Sequence, residues 1–408
     1  TIWFPTVLTF AAVSLAFMGP GQRWDEALAA NKWYVLIVVL CVYWAATLLN
    51  LRGMKTSAGV TKWGTIIGTI IPGAILILLG LGYWAGGNPI LLDMSWDKLV
   101  PDMSNFNNLV LAASIFLFYA GMEMSAVHVK DVNNPGRNYP LAILISAIIT
   151  VLIFVLGTLA IGFIIPNSQI NLVQSLLITY DSYFSFFGLG WMNWILALAL
   201  AVGVLAQVTA WVGGPSKGLY QVGLAGNLPP VMQKRNKNNV QMGILLIQGG
   251  IVTLLSIMFV IMPSVQSAYQ IISQLTIILY LIMYMLMFAS GIYLRYREPN
   301  TPRTFRIPGG RTFGMWIVGG LGFLASLAAF LVSFIPPNQI TVGSSTMYIL
   351  LLVVGTFIFA GIPFIIHAMA KPSWKRPVDP EDAFEPFGWE KNNDSHSAAT
   401  PSHSISHE

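Results

Sequence analysis

Charge is what this sequence has least of. Of its 408 residues only 9% are Asp, Glu, Lys or Arg, where ordinary soluble domains carry about 25%. A soluble globular protein is therefore excluded. Cysteine is nearly absent too. The single thiol, Cys41, cannot form an internal disulfide framework and reads most simply as a small buried hydrophobe. Metal-ligand clusters, Cys-x-x-Cys pairs, nucleophile elbows and the phosphate-cradling Gly-x-x-x-x-Gly-Lys loop are all missing. No metal or cofactor is expected, and an intramembrane enzyme or an ATP-driven pump is disfavoured. Without Arg-rich voltage-sensing helices or a repeated filter loop, a selective channel is disfavoured as well.

What the sequence has in abundance is apolar surface, with 55% hydrophobic residues, far too many for a disordered chain. A helix crosses the hydrocarbon core with about 20 apolar residues. Ten runs of that order occur, at 1–19, 33–51, 63–84, 106–127, 139–165, 190–212, 240–262, 268–294, 312–335 and 345–370. Lipid offers no partner for backbone N–H and C=O groups, so continuous runs of this length read as helices. The expected fold class is an all-α integral membrane protein. Residues 1–370 form its transmembrane domain, and 371–408 form a polar tail with His396, His403 and His407, expected to be disordered.

Orientation follows from the basic residues, which are retained on the cytoplasmic side. One set of connections, with the tail, holds 18 of the 21 Lys and Arg, and the other holds only Arg23, Lys32 and Lys98. Both ends are thus expected in the cytoplasm. The formal charge of +5 reflects this topology and does not indicate nucleic-acid binding; the bilayer is the partner the composition demands. The chain opens at Thr1 without a basic flank or a signal pattern, and the start is expected to be cut. In 167–189, Leu172, Leu176, Leu177, Tyr180 and Phe184 recur near helical spacing, which predicts a helix along the outer surface. The inner connection 213–239 reads as a longer basic loop, with room for a short helix, after Gly213-Gly214-Pro215.

Fifteen of the sixteen carboxylates fall in connections or the tail, and one, Glu123, falls inside a run. A charge at membrane depth costs at least about 2.5–3.5 kcal/mol, so such a group usually faces a cavity, a partner or a proton path. The plainer alternative is a protonated Glu bonded to a neighbouring helix as a strut. Gly121 lies two residues earlier. Glycine there weakens the helix and frees backbone groups, as in transporters whose broken helices bind substrate at the midplane, although close helix packing also uses glycine. Gln207, Thr209 and Trp211, at the end of the sixth run, could line a polar path with the indole as a barrier. The alternative is an interfacial tryptophan with Gln and Thr bonding between helices, and composition favours it. Tyr280 and Tyr284 share one helical face, with Gln274 one to two turns earlier. They are either core or a substrate-facing phenol pair. His128 and His367 are most simply interfacial.

The segment from Tyr119 to Pro140 resembles the sixth helix and following loop of the amino acid-polyamine-organocation superfamily. Within it, Gly213–Tyr220, Gly226–Pro230, Arg303–Gly310 and Ser333–Pro337 resemble the bacterial glutamate/γ-aminobutyrate antiporters. The resemblance implies a LeuT-like fold of inverted five-helix repeats with twelve helices in all, of which ten are present here and the first two are missing. It implies an amino acid substrate, the bacterial inner membrane and exchange by alternating access, linked to acid resistance. Gly121, Glu123 and Ser125 match the break in the sixth helix beside the substrate. Trp211 matches an aromatic that closes the inner side of the pocket, and Tyr280 and Tyr284 match positions near it. Close relatives carry Glu where this chain has Gln207, which changes the charge offered to the substrate. Two other functions stay open: a proton-coupled amino acid permease of other specificity, and a membrane sensor that keeps the fold without transport.

Overall fold

The structure, a computed structural model, describes residues 1–19, 21–95, 132–301, 303, 305–310, 312–337 and 344–376, together with 108, 110, 112, 115, 120–123 and 126. Among them there is no strand. Helices α1 (Trp3–Ala16) and α3 (Lys32–Leu51) are joined across one end of the bundle by α2 (Gln22–Ala29). Asn31 starts α3 because its side chain accepts from the free amides of Trp33 and Tyr34. Next come α4 (Met54–Thr65) and α5 (Ile71–Ala85), continuous through a π-helical turn at Ile66–Ile70. Pro72 follows at once. It has no N–H to donate and its ring crowds the preceding turn, and the wider turn absorbs both defects.

The rest of the bundle comprises α6 (Pro135–Ile164), α7 (Ser175–Phe186), α8 (Asn193–Val222), α9 (Met242–Ser256), α10 (Met258–Ile261), α11 (Val265–Arg297), α12 (Phe313–Val332) and α13 (Ser345–Ala368). Eight stretches of the described residues are long and apolar enough to cross a membrane. They answer to eight of the ten expected runs. The opening run forms the 14-residue α1, and most of 106–127 lies outside the described residues.

Helix α8 organises the packing, with α1, α3 and α4 against it. Its approach to the π-helical turn requires two glycines, since a β-carbon on Gly68 or Gly203 would collide with the other's backbone. Asn50 on α3 adds a polar tie, donating to the carbonyls of Ala46 at 3.0 Å and Thr209 at 2.9 Å. Buried amide donors need such partners.

Two expectations change here and one helix is found where predicted. Helix α8 does not stop at 212 but runs through Gly213-Gly214-Pro215 to Val222. Surrounding helices sustain it past the proline, and the Ser216 hydroxyl donates to the Gly213 carbonyl at 2.8 Å. It ends only at the turn Gly223–Asn227, where Gly226 has φ +93°. Cys41 is exposed on the outside of α3, not buried; around a spanning helix that outside is hydrocarbon, where a small apolar side chain is at home. The helix predicted in 167–189 is α7. Leu177, Tyr180 and Phe184 are buried while Leu172 is exposed.

Candidate functional site

Gly121 sits in a turn with φ +106°, a conformation that disfavours any side chain. Met122 and Glu123 follow in a single 3-10 turn. The Gly121 amide donates to Glu123 Oε2 at 3.1 Å, so the carboxylate satisfies a backbone donor that the interrupted helix would leave unpaired. Tyr284 on α11 donates its hydroxyl to the same oxygen at 3.1 Å. Glu123 Oε1 is buried and has no hydrogen-bond partner among the described residues. Tyr280, one turn before Tyr284, packs against it edge-on with ring centroids 5.4 Å apart and faces the same carboxylate.

The indole of Trp211, on α8, closes over Gly121. A β-carbon there would lie 2.6 Å from the six-membered ring, so glycine answers both the backbone angle and the aromatic contact. On its other side Trp211 meets Trp3 of α1, with centroids 5.3 Å apart. One chain of contacts thus runs from α1 through Trp211 to the broken turn, and from the turn through Glu123 to the tyrosines of α11.

This chain borders a cavity of about 1020 Å³ lined by Ala120, Gln207, Trp211 and Tyr280, with Trp3 and Gln248 nearby. It reaches along α8 past Pro215 to Val222, at the end where the basic connections lie. That is at the upper end for a small-molecule site, large enough for an amino acid with its water. Among the described residues no Lys or Arg lines it. A substrate carboxylate would meet amide, hydroxyl and indole donors there. Glu123, bonded to Tyr284 one turn from Tyr280, does not itself line the cavity.

Of the residues singled out from the sequence, Gly121, Glu123, Trp211, Tyr280 and Tyr284 are brought together, with Gln207 on the same cavity. Ser125 and His128 lie outside the described residues. Thr209 turns away, its hydroxyl donating to the Leu205 carbonyl at 2.7 Å. Gln274 is buried off the cavity, because six residues of helix carry it away from the face of Tyr280. The face that does line the cavity bears Tyr269, Ser273, Thr276 and Tyr280. This stripe at spacings of four, three and four is legible in the sequence and was missed. Trp3 carried no such signal. At the end where the basic connections lie, Gln233 donates to the carbonyls of Leu228 at 2.8 Å and Trp374 at 2.9 Å, and the Arg376 amide donates to the Leu224 carbonyl at 3.3 Å. The first residues of the polar tail are thus held beneath α8. Residues 377–408, with the three tail histidines, lie outside the described residues.

Comparison with known proteins agrees with this architecture. The amino acid permease family profile matches residues 1–359. An uncharacterized transporter of Legionella pneumophila is 36% identical over 364 residues, covering 89% of this chain and 77% of the relative. A glutamate/gamma-aminobutyrate antiporter of Lactococcus lactis is 32% identical over 372 residues, covering 90% of this chain and 73% of the relative. More distantly, a probable agmatine/putrescine antiporter of the same species is 23% identical over 283 residues, covering 68% of this chain and 59% of the relative.

Proposed function

The chain belongs to the amino acid permease family, a family of transporters and not of enzymes, and from that premise we propose that it exchanges glutamate for γ-aminobutyrate by alternating access. One observation carries the reading: a helix broken at Gly121, held by Glu123 and covered by Trp211, beside a cavity of amino-acid size. In this account the substrate lodges in the cavity against Gln207, Trp211 and Tyr280. Glu123 keeps the turn attached to α11 through Tyr284, so displacement of the turn moves the tyrosines with it. Trp211 gates the inner path along α8. The antiporters named among the relatives support the choice of substrates.

Exchange of this kind needs no ATP. The bundle lies in a bacterial plasma membrane with the basic connections inside. Coupled to a cytosolic decarboxylase that consumes a proton per glutamate, it would remove protons from an acid-stressed cell. Proteoliposomes test the assignment. Uptake of labelled glutamate should require internal γ-aminobutyrate or glutamate, and uptake driven by a pH gradient into empty vesicles would replace exchange with proton coupling. The partnerless Oε1 of Glu123 is the observation that favours this second reading, as a place for a proton. Binding without flux in either assay would favour a sensor.

A further inference from the structure

A second cavity, of about 290 Å³, lies at the opposite end of the bundle from the basic connections, among the end of α1, α2, α7 and the start of α8. Two carboxylates line it, Asp25 from α2 and Asp181 from α7. Asp25 is only 5% exposed, and its Oδ1 is buried without a hydrogen-bond partner among the described residues. Gly19 borders this oxygen so closely that a β-carbon there would collide with it. Asp181 accepts from the side-chain amide of Asn193, and the other end of that amide, Asn193 Oδ1, is again a buried oxygen without a partner. The Tyr180 hydroxyl, which could have served as a donor, gives its hydrogen to the Pro72 carbonyl at 2.7 Å.

Both unmatched atoms are acceptors, and both belong to groups on one small cavity. A buried acceptor with nothing to accept costs about 1–3 kcal/mol, and more when charged. Among the described residues no cationic side chain lines the cavity. Arg23 is exposed on α2, Lys32 at the start of α3 reaches to the Val260 carbonyl at 3.4 Å, α1 carries no charge, and α8 carries none before Lys217.

We propose that this cavity binds a compact monovalent cation, an alkali-metal ion or the ammonium head of an amino acid, held by Asp25, Asp181 and Asn193. A proton competes for the same oxygens. Burial raises the pKa of Asp25, as do the charges of Asp181 and Glu26, with the Gly21 amide acting against them. Burial also raises that of Asp181, opposed by Asn193 and reinforced by Glu26. Protonation therefore begins at a higher pH than for an ordinary carboxylate, and cation binding is lost as pH falls through that raised range. The inference is independent of the substrates assigned above.

Thermal unfolding of the full chain in nanodiscs tests it, at fixed ionic strength, with N-methylglucamine replaced stepwise by sodium or methylammonium. Binding to the folded state should appear as a saturable rise in Tm, smaller at pH 5 than at pH 7.5. A rise with sodium identifies a metal ion, and one with methylammonium but not sodium identifies the ammonium head. Asp25→Asn and, should it fold poorly, Asp181→Asn should each remove the rise, while Glu123→Gln should keep it. An equal Tm in all cations overturns the site. So does a rise that survives both Asp variants or disappears with Glu123→Gln.

Discussion

Helices α6 and α8 are each 30 residues long, apolar and interrupted by one proline, yet they occupy opposite places. In the most apolar stretch of α6 only 6% of residues are buried, against 56% in that of α8. The helix richer in large aliphatic side chains faces lipid, where Leu144, Ile148 and Leu152 stand exposed. The helix carrying Gly203, Gln207, Thr209 and Trp211 fills the centre. Water sends apolar residues inward, but hydrocarbon does not. Interior position in a membrane bundle follows from small residues that admit close approach and polar ones that need partners.

The largest effect expected from this contrast is steric. Gly203→Leu should abolish the folded bundle, because the obstacle is the backbone of Gly68, whereas Gly157→Ala on α6, whose β-carbon would meet only Leu76 at 3.8 Å, should leave it intact. Size-exclusion profiles of the two variants decide this. Next comes a matched truncation. Leu200→Ala on α8 removes a buried side chain and should cost about 2–5 kcal/mol. Leu152→Ala on α6 exchanges one lipid contact for another and should stay within about 0.5 kcal/mol. Equal losses in denaturant titrations would mean that α6 is also covered by protein.

Smaller and more specific effects belong to the cavity. Gln207→Glu places a titrating group on the wall beside Trp211. Ionised at neutral pH, it should repel glutamate, and protonated at acid pH it should resemble Gln207. Its glutamate exchange relative to the unmodified chain should therefore fall as pH rises. A pH-independent ratio would show that residue 207 does not meet the substrate. Tyr284→Phe removes one of two hydrogen bonds to Glu123 Oε2, worth about 0.5–1.5 kcal/mol. It should slow exchange while lowering Tm only slightly, and a lower Tm with unchanged exchange would make the bond purely structural.

The spans were readable because lipid leaves the backbone no partner but itself, so each crossing had to announce itself as a long apolar run. Glu123 was readable for the same reason, as the one acid in such a run, and Gly121 as its neighbour. The continuation of α8 past Pro215 was not. Gly-Gly-Pro reads as a stop, and only flanking helices keep it wound. Pro72 marks a defect in its helix but not that the turn before it widens, and the approach of Gly68 to Gly203 leaves no local pattern. Asp25 and Asp181 look like ordinary loop carboxylates in sequence, and only the fold of α2 onto α7 makes them a pair. Which way Trp211 points could not be chosen from composition, since an interfacial indole and a cavity wall use the same residue.

Glutamate counterflow in proteoliposomes with Glu123→Gln, Tyr284→Phe and the double variant measures most directly whether the carboxylate works through the broken turn. The account predicts that Glu123→Gln loses exchange and that adding Tyr284→Phe makes it no worse, because both act through one contact. Unimpaired counterflow in Glu123→Gln, or losses that simply add, would contradict it.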